Sequence, residues 1–438
     1  MPPKPTDVVV TGIGALTPVG IGIDAFWQSL RAGVSGIRSL EDRDDDGPKP
    51  PVGWRQSPQA GCWIGGPIVG FDAAQFVRPR KALKVMGREL QTAFAASQMA
   101  MDQAGLPSAI DSGVIAKESV ATIFGSQMLY GPASELLDAV RHSMNADRDC
   151  DITQFGSAAM RDIMPLWMLK YLPNMAACHV GISIGALGPN NTIVSGDISA
   201  TAALIESIST LERGAASVVV CGATGSRIDE TYLVYRGDTP LASVHSPISE
   251  SSRPHSTDAD GIVFGEAATA AIIETHAAAS ARGANVLARV AGYASRFHAP
   301  ASNARGSAEA IRLAISGALR SASLAADDIG LVISHGTGDR MRDAAEQAAL
   351  SSELPSVPVC MPVALTGHSG AATGGIHMMA AVLSIMHKTI PATPAHGDVF
   401  EGMSDRCSRE PRPIEKPAVM VLTHNSHGNA NAVIFTAA

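Results

Sequence analysis

The feature that most constrains the fold is a strand, a sharp turn and a helix in residues 188–214. The β-branched run 192–194 predicts a short strand, and the following Ser195-Gly196-Asp197 predicts a tight turn. Apolar residues then recur at helical spacing until Gly214: Ala200, Ala203, Leu204, Ile208 and Leu211. We therefore expect Asp197 at a helix N-terminus, where free N–H groups and the helix dipole favour a negative charge or a nucleophile.

Composition limits the class of protein. With 438 residues, 46% of them hydrophobic, the chain can bury one large core or two medium ones. The net charge of −8 gives no general attraction to nucleic acid or to anionic membranes. The N-terminus lacks the apolar core of a signal peptide, and no run of about 18 apolar residues predicts a membrane span. The six cysteines form no CxxC pair, which indicates reduced thiols in a cytoplasmic protein.

Strand and helix patterns alternate along the chain and restart near residue 277. We expect an α/β protein with an N-terminal half at 1–276, a helical and loop insertion at about 130–175, and a C-terminal half at 277–438. The stretch 78–105 begins with a basic run and predicts one long helix. Residues 308–322 predict a helix, and residues 329–333 predict a strand.

Five short motifs follow one another in a recognisable order. They are the opening VVVTGIGALTPVG, Arg253-Pro254 with Asp260-Gly261 and Gly265-Glu266, His335-Gly336-Thr337-Gly338 with Asp343 and Glu346, Thr366-Gly367-His368 with the glycines after it, and Asn425-Ser426 with Asn431-Ala432. In this order and over nearly the whole chain, they resemble the β-ketoacyl synthase family. The resemblance implies the thiolase fold, with two related βαβαβαββ halves in a five-layered α-β-α-β-α sandwich.

The resemblance also implies a chemistry. In this family a cysteine at the corner takes an acyl chain from an acyl carrier protein, and two histidines help to decarboxylate a malonyl group. Those histidines fall on His335 and His368, and substrate contacts fall on Thr337, Gly367 and Asn425. The partners implied are an acyl carrier protein and a second ketosynthase subunit, in a homodimer or a heterodimer. No cofactor and no metal is implied.

The chain departs from the family at four places. Asp197 stands where the cysteine is expected, and Val363 stands where the family has a lysine. Asp339 replaces the last threonine of the HGTGT motif, and the tail after Asn425 is short and lacks the phenylalanine that gates the acyl pocket. A carboxylate cannot exchange thioesters as a thiolate does. The ordinary condensation cycle is therefore not expected.

Several roles remain open at this stage. Asp197 is either a helix cap or a carboxylate that works with a histidine as acid or base. The basic residues Arg78, Arg80, Lys81 and Lys84 either dock an acidic carrier protein or form a solvated face. The histidines lack a recognisable metal-ligand spacing, so we predict no metal site.

Three functions are compatible with this pattern. The first is a non-elongating, chain-length-factor-like subunit that shapes the acyl pocket of a cysteine-bearing partner. The second is decarboxylation of malonyl-carrier protein through His335 and His368. The third is another acid–base reaction on an acyl thioester, which would use Asp197 with a raised pKa and a histidine.

Overall fold

A computed structural model of the chain describes residues 4–43, 49–57, 59–394 and 396–438. Its strands are β1 Val8–Thr17, β2 Gly20–Ile21, β3 Arg38–Ser39, β4 Ile64–Gly65, β5 Val120–Ser126, β6 Asn190–Val194, β7 Val218–Ser226, β8 Glu266–Thr275, β9 Ala288–Phe297, β10 Ile329–Ile333, β11 Val359–Cys360, β12 Thr389–Ile390, β13 Arg412–Pro413, β14 Ala418–His424 and β15 Asn429–Thr436. Its α-helices are α1 Ile23–Ala32, α2 Arg88–Gln103, α3 Leu106–Asp111, α4 Leu137–Arg141, α5 Ile152–Asp162, α6 Met175–Ile184, α7 Ser199–Glu212, α8 Glu230–Tyr235, α9 His276–Ala281, α10 Ala308–Ala322, α11 Arg340–Glu353, α12 Val363–Thr366 and α13 Thr373–His387.

Two sets of five strands have the same order. In the first set the spatial order is β6-β5-β7-β8-β1, and in the second it is β11-β10-β14-β15-β9. Numbered within each set, both read 3-2-4-5-1, with parallel pairs among the first three and antiparallel pairs among the last three. A short antiparallel pairing of β1 with β9 joins the sets. The chain is therefore duplicated in topology, as expected from its sequence pattern.

Helices separate the strand sets into layers. α2 packs on the outer face of β1, β7 and β8, and α10 packs on β9 and β15. α7 and α13 contact each other between the two sets, where the largest apolar core lies. The order from one surface to the other is helix, sheet, helix, sheet, helix, which agrees with the five layers that the resemblance implied. This arrangement brings the N-terminal turns of α7 and α13 together in the middle of the molecule.

The predictions for individual elements are confirmed for α10 and β10, which have the expected bounds. The long helix predicted at 78–105 is wrong at its start. Residues Arg80–Val85 form a 3₁₀ turn, Met86 is extended and buried, and α2 begins only at Arg88. Helical geometry cannot continue through an extended residue, so the buried side chain of Met86 sets the boundary.

The predicted insertion contains α4, α5 and 3₁₀ turns between β5 and α6. Several of its apolar side chains are exposed. The boundary at residues 276 and 277 lies close to the end of β8 and before the start of β9, and the division into two domains there stays a prediction. Within the described residues, no helix is long and apolar enough to cross a membrane.

Candidate functional site

Asp197 lies at the corner between β6 and α7, as expected, in a 3₁₀ turn formed by Gly196–Ile198. Only 5% of the residue is exposed. Among the described residues its carboxylate accepts no hydrogen bond from a helix N–H, and α7 has no side-chain cap. The helix-cap interpretation of Asp197 is therefore wrong, because its oxygens are bound to other side chains.

Two arginines bind the carboxylate of Asp197. Arg227, which directly follows β7, donates from Nη2 to Oδ1. Arg342, on the first turn of α11, donates from Nη2 to Oδ2 at 2.7 Å and also to the carbonyl oxygen of His424 at 2.9 Å. All three charged side chains are buried. Sequence reasoning missed both arginines. Two signals could have identified them. Arg227 is a charged residue that directly follows a buried strand, and Arg342 lies inside the motif that runs from His335 to Glu346.

The ion pairs decide the protonation state of Asp197. Burial alone would raise the pKa of this carboxyl group, but the guanidinium groups of Arg227 and Arg342 hold the pKa well below its usual range. Asp197 is therefore an anion at any physiological pH. The acid–base hypothesis required a raised pKa, and the structure gives a shift in the opposite direction.

His368 is held in one neutral form. Its Nδ1 accepts from Arg227 Nη1 at 2.9 Å and from the backbone N–H of Gly370 at 3.2 Å. Because both neighbours can only donate, Nδ1 carries a lone pair and the ring proton is on Nε2. Burial and the nearby arginines hold the pKa of His368 well below its usual range. Its Nε2 lies 3.7 Å from Asp197 Oδ2.

His335 lies beside His368 in a group of buried imidazoles. Its ring centroid is 5.2 Å from that of His368, 5.5 Å from that of His377 and 4.9 Å from that of His424. Neither ring nitrogen of His335 has a hydrogen-bond partner among the described residues. Burial and the neighbouring His424 hold its pKa well below the usual value, so His335 is also neutral.

Two acids shape the loop that carries His335. The backbone N–H of His335 donates to Glu346 at 3.0 Å. Asp343 accepts from the backbone N–H groups of Thr337 and Gly338 and from the hydroxyl of Thr337. The spacing of these acids after the histidine is therefore explained by turn geometry, since each satisfies buried N–H groups of the loop.

The side chains of Asp197, His335 and His368 offer ligand atoms that all lie within 4.8 Å of one another. Their surroundings do not suit a metal ion. The two arginines already neutralise Asp197 and add a net positive charge. The proton on Nε2 of His368 occupies the atom that would have to bind the metal, because Nδ1 is taken by two donors.

A pocket of about 560 Å³ opens above Asp197. Of the residues predicted to contact substrate, Asn425 lines this pocket, whereas Thr337 and Gly367 are buried and are not part of its lining. His335 and His368 are fully buried and are also absent from the lining. The lining residues are Val194, Ser195, Gly196, Asp197, Ile198, Arg227, Tyr232, Thr239, Arg342, Asn425, Ser426, His427 and Asn429.

The basic residues proposed for carrier docking are exposed. Arg80, Lys81 and Lys84 lie on the 3₁₀ turn before α2, and Arg78 donates hydrogen bonds to the carbonyls of Ala74 and Val77. The four residues thus form one accessible basic segment. Their docking role stays a prediction.

Comparison with known proteins assigns the chain to a family. Residues 6–279 match the family described as Beta-ketoacyl synthase, N-terminal domain, and residues 287–396 match its C-terminal domain. A 3-oxoacyl-[acyl-carrier-protein] synthase 2 of Synechocystis sp. is 30% identical over 408 residues, covering 88% of this chain and 87% of that protein. A synthase of the same name from Staphylococcus aureus is 26% identical over 395 residues, with 88% and 87% covered.

Solved structures confirm the thiolase fold. The ishigamide ketosynthase/chain length factor superposes with a TM-score of 0.82 at 21% identity and covers 99% of both chains. A Beta-ketoacyl synthase from Burkholderia phymatum STM815 gives a TM-score of 0.80 at 22% identity, over 99% of this chain and 100% of that one. With both domain matches spanning most of its length, the chain belongs to the β-ketoacyl synthase family.

Proposed function

We propose that the protein is a non-elongating, chain-length-factor-like subunit of fatty-acid or polyketide biosynthesis, acting in the cytoplasm beside a cysteine-bearing ketosynthase. The observation that carries this proposal is the state of Asp197, a buried carboxylate neutralised by Arg227 and Arg342 at the family's nucleophile corner. None of the six cysteines is among the residues that line the pocket. Without a thiolate there, the chain has no group that can carry an acyl intermediate in the usual way.

The arrangement of the histidines argues against the decarboxylase alternative. A malonyl thioester would have to contact the neutral imidazoles of His335 and His368 for its enolate to be stabilised. Both are fully buried and neither lines the pocket, whereas Asp197 and its two arginines do. A substrate in this pocket would meet the ion-paired side chains and not the imidazoles, so we do not favour this function.

The exposed edge of the sheet supports pairing with another subunit. β6 lies at one end of the strand order and pairs only with β5 within the described chain. Val194 on this strand is 47% exposed, and Ile182 and Leu187 just before it are 76% and 66% exposed. An open strand edge flanked by apolar side chains is typical of a surface that another chain covers.

A second pocket supports the proposed role in shaping an acyl site. It measures about 670 Å³ and is mostly apolar, with Tyr130, Trp167 and Tyr235 among its lining residues. Helix α8 lies between the two pockets, because Tyr232 lines the pocket above Asp197 while Val234 and Tyr235 line the apolar one. Apolar pockets of this size suit an acyl or polyketide chain.

Co-expression tests the proposal. The chain is produced with and without a cysteine-bearing ketosynthase from the same genome, using a tag on one protein only. We expect a stable 1:1 complex whose product length changes when residues of the apolar pocket are enlarged, for example in Val234→Phe. A stable homodimer that never binds any such ketosynthase would overturn the proposal.

A further inference from the structure

The lining of the pocket above Asp197 has more basic than acidic side chains. Its lining contains two arginines and one acid, and the two nearby histidines are neutral. The buried acids Asp343 and Glu346 lie further along α11 and are not part of the lining; Asp343 accepts from backbone N–H groups, and Glu346 contacts His255 and His424. Within the lining two guanidinium groups accompany one carboxylate, so an anion is the type of ligand that this pocket favours.

Arg342, which lines this pocket, has donor nitrogens that no described residue occupies. Its Nη2 makes both of its described hydrogen bonds, to Asp197 and to the carbonyl of His424. Its Nε is buried without a partner, and no described hydrogen bond involves Nη1. Both protons of Nη2 are used and Nε is closed off by burial, so Nη1 is the donor left for an incoming oxyanion while Nη2 still holds Asp197.

The rest of the lining suits a small polar ligand. Tyr232, Thr239, Ser426 and Asn429 offer neutral hydrogen-bonding groups, and Asp197 is the only acid among the lining residues. Asn425 is less available, because its Oδ1 already accepts from the backbone N–H groups of His427 and Asn429. The volume of about 560 Å³ falls within the range of small-molecule sites.

We propose that this pocket is a reversible, non-covalent binding site for a small organic carboxylate, held by Arg342 with Arg227 as the second positive charge. The ligand replaces the covalent acyl group of an active synthase as the occupant of this corner. Occupancy ties the ligand to α11 and to the turn before α7, which come from the two halves of the chain. Carboxylate binding here does not require pairing with a ketosynthase. Either this proposal or the proposed function can therefore be disproved while the other stands.

Calorimetric titration of the purified full-length chain tests the site. Acetate and succinate are the probes, acetamide is the uncharged control, and inorganic phosphate tests for a site that prefers phosphate. Arg342→Gln should weaken carboxylate binding by tenfold or more, on the order of one lost charged hydrogen bond. Arg340→Gln is the matched control, because Arg340 is exposed on the same helical turn and does not line the pocket.

Asp197→Asn should change the carboxylate affinity in the opposite direction from Arg342→Gln. Removal of the competing carboxylate leaves two positive charges, so succinate should bind this variant roughly tenfold more tightly than the wild type and raise its melting temperature by more. If Asp197→Asn does not fold, the comparison of Arg342→Gln with Arg340→Gln still decides. Equal binding by those two variants, tighter binding of acetamide, or binding of phosphate alone would overturn the proposal.

Discussion

At the residue scale, Asp197 acts as a counter-ion. An unpaired carboxylate at this buried corner would destabilise the fold through its desolvation cost, and two unpaired arginines would destabilise it more. The three together form a bridge from the turn before α7 to the strand end at Arg227 and to α11. Asp197 is thus matched by two cations that a thiol at this position would not require.

Asp197→Asn should destabilise the fold. The change leaves Arg227 and Arg342 buried without their anion, and breaking such a network typically costs about 3–5 kcal/mol. Asp238→Asn is the control, because Asp238 pairs with Arg305 on the surface and its side chain is 97% exposed. Urea unfolding measures both variants, and the control should change by less than about 1 kcal/mol. Equal decreases in the free energy of unfolding of the two variants would show that the ion pairs of Asp197 do not stabilise the fold.

The buried imidazoles predict a loss of stability in mild acid. The folded-state pKa values of His335, His368 and His377 lie below the unfolded value of 6.5, that of His377 at about 4 because of burial. Below pH 6.5 the unfolded chain therefore binds protons that the folded chain refuses, and the free energy of unfolding decreases. Burial alone would lower the pKa of His255, but Glu346 raises it above 6.5, so His255 is protonated in both states below that pH and does not offset this loss.

The expected decrease is about 1.4 kcal/mol per pH unit for each net proton, between pH 6.5 and pH 5. The depressed pKa of Asp197 has no effect in this window, since its contribution is lost only near and below 3.8. Urea titrations at pH 7.5, 6.5 and 5.5 check the slope. His377→Gln should reduce it by about one proton. A free energy of unfolding that is constant or rises as the pH falls would contradict this account.

Much of the site could be predicted from residue identities. The positions of His335, His368 and Asp197 follow from glycine-framed motifs whose spacing is set by local turns. The partners of Asp197 could not be predicted in this way. Arg227 and Arg342 are 30 and 145 residues away in sequence, and only the packing of two strand sets brings them to the same carboxylate.

At the scale of elements, the basic segment before α2 shows the limit of helical periodicity. Its composition favours a helix, yet the buried residue Met86 is extended. The 3₁₀ turn ends there, and α2 begins two residues later. α10, by contrast, has both of its predicted ends, because Ser307 caps it and Ser323 adopts a left-handed conformation after it. Local signals fix an element only where tertiary packing does not override them.

The same segment makes a prediction about the carrier protein. The double variant Lys81→Glu, Lys84→Glu should weaken binding of an acyl carrier protein about tenfold in low salt, because both side chains are exposed and positive. Lys416→Glu, at an exposed lysine in the C-terminal half, is the control for a charge reversal elsewhere on the surface. Surface plasmon resonance at two salt concentrations measures the effect. Equal affinities for the double variant and the control would remove this docking surface.

At the scale of the whole molecule, the duplicated strand order explains where the site lies. Each half places its third strand before a central helix, so the turns that precede α7 and α13 meet at the centre. Asp197 and His368 are on these two turns. The repeated alternation of strands and helices predicted this duplication, whereas the pairing of β1 with β9 is a long-range contact with no sequence signal.

The exposed edge at β6 predicts how the molecule pairs. Val194→Glu with Ile182→Glu should abolish complex formation with a cysteine-bearing ketosynthase, because two charges would be buried without partners. Both side chains are exposed in the single chain, so its own stability should change by less than about 0.5 kcal/mol. Val114→Glu, at a site 59% exposed beyond α3, serves as the control in size-exclusion chromatography. Retention of the complex in the double variant would place the interface elsewhere.

The most direct measurement of the central claim is the intact mass of the purified chain after incubation with acyl and malonyl groups on an acyl carrier protein. Because we place an ion-paired carboxylate, Asp197, at the family's nucleophile position, the mass should remain that of the unmodified polypeptide, with no two-carbon extension of the acyl chain. A stable acyl adduct, together with an elongated product formed in the absence of any other ketosynthase, would contradict the account.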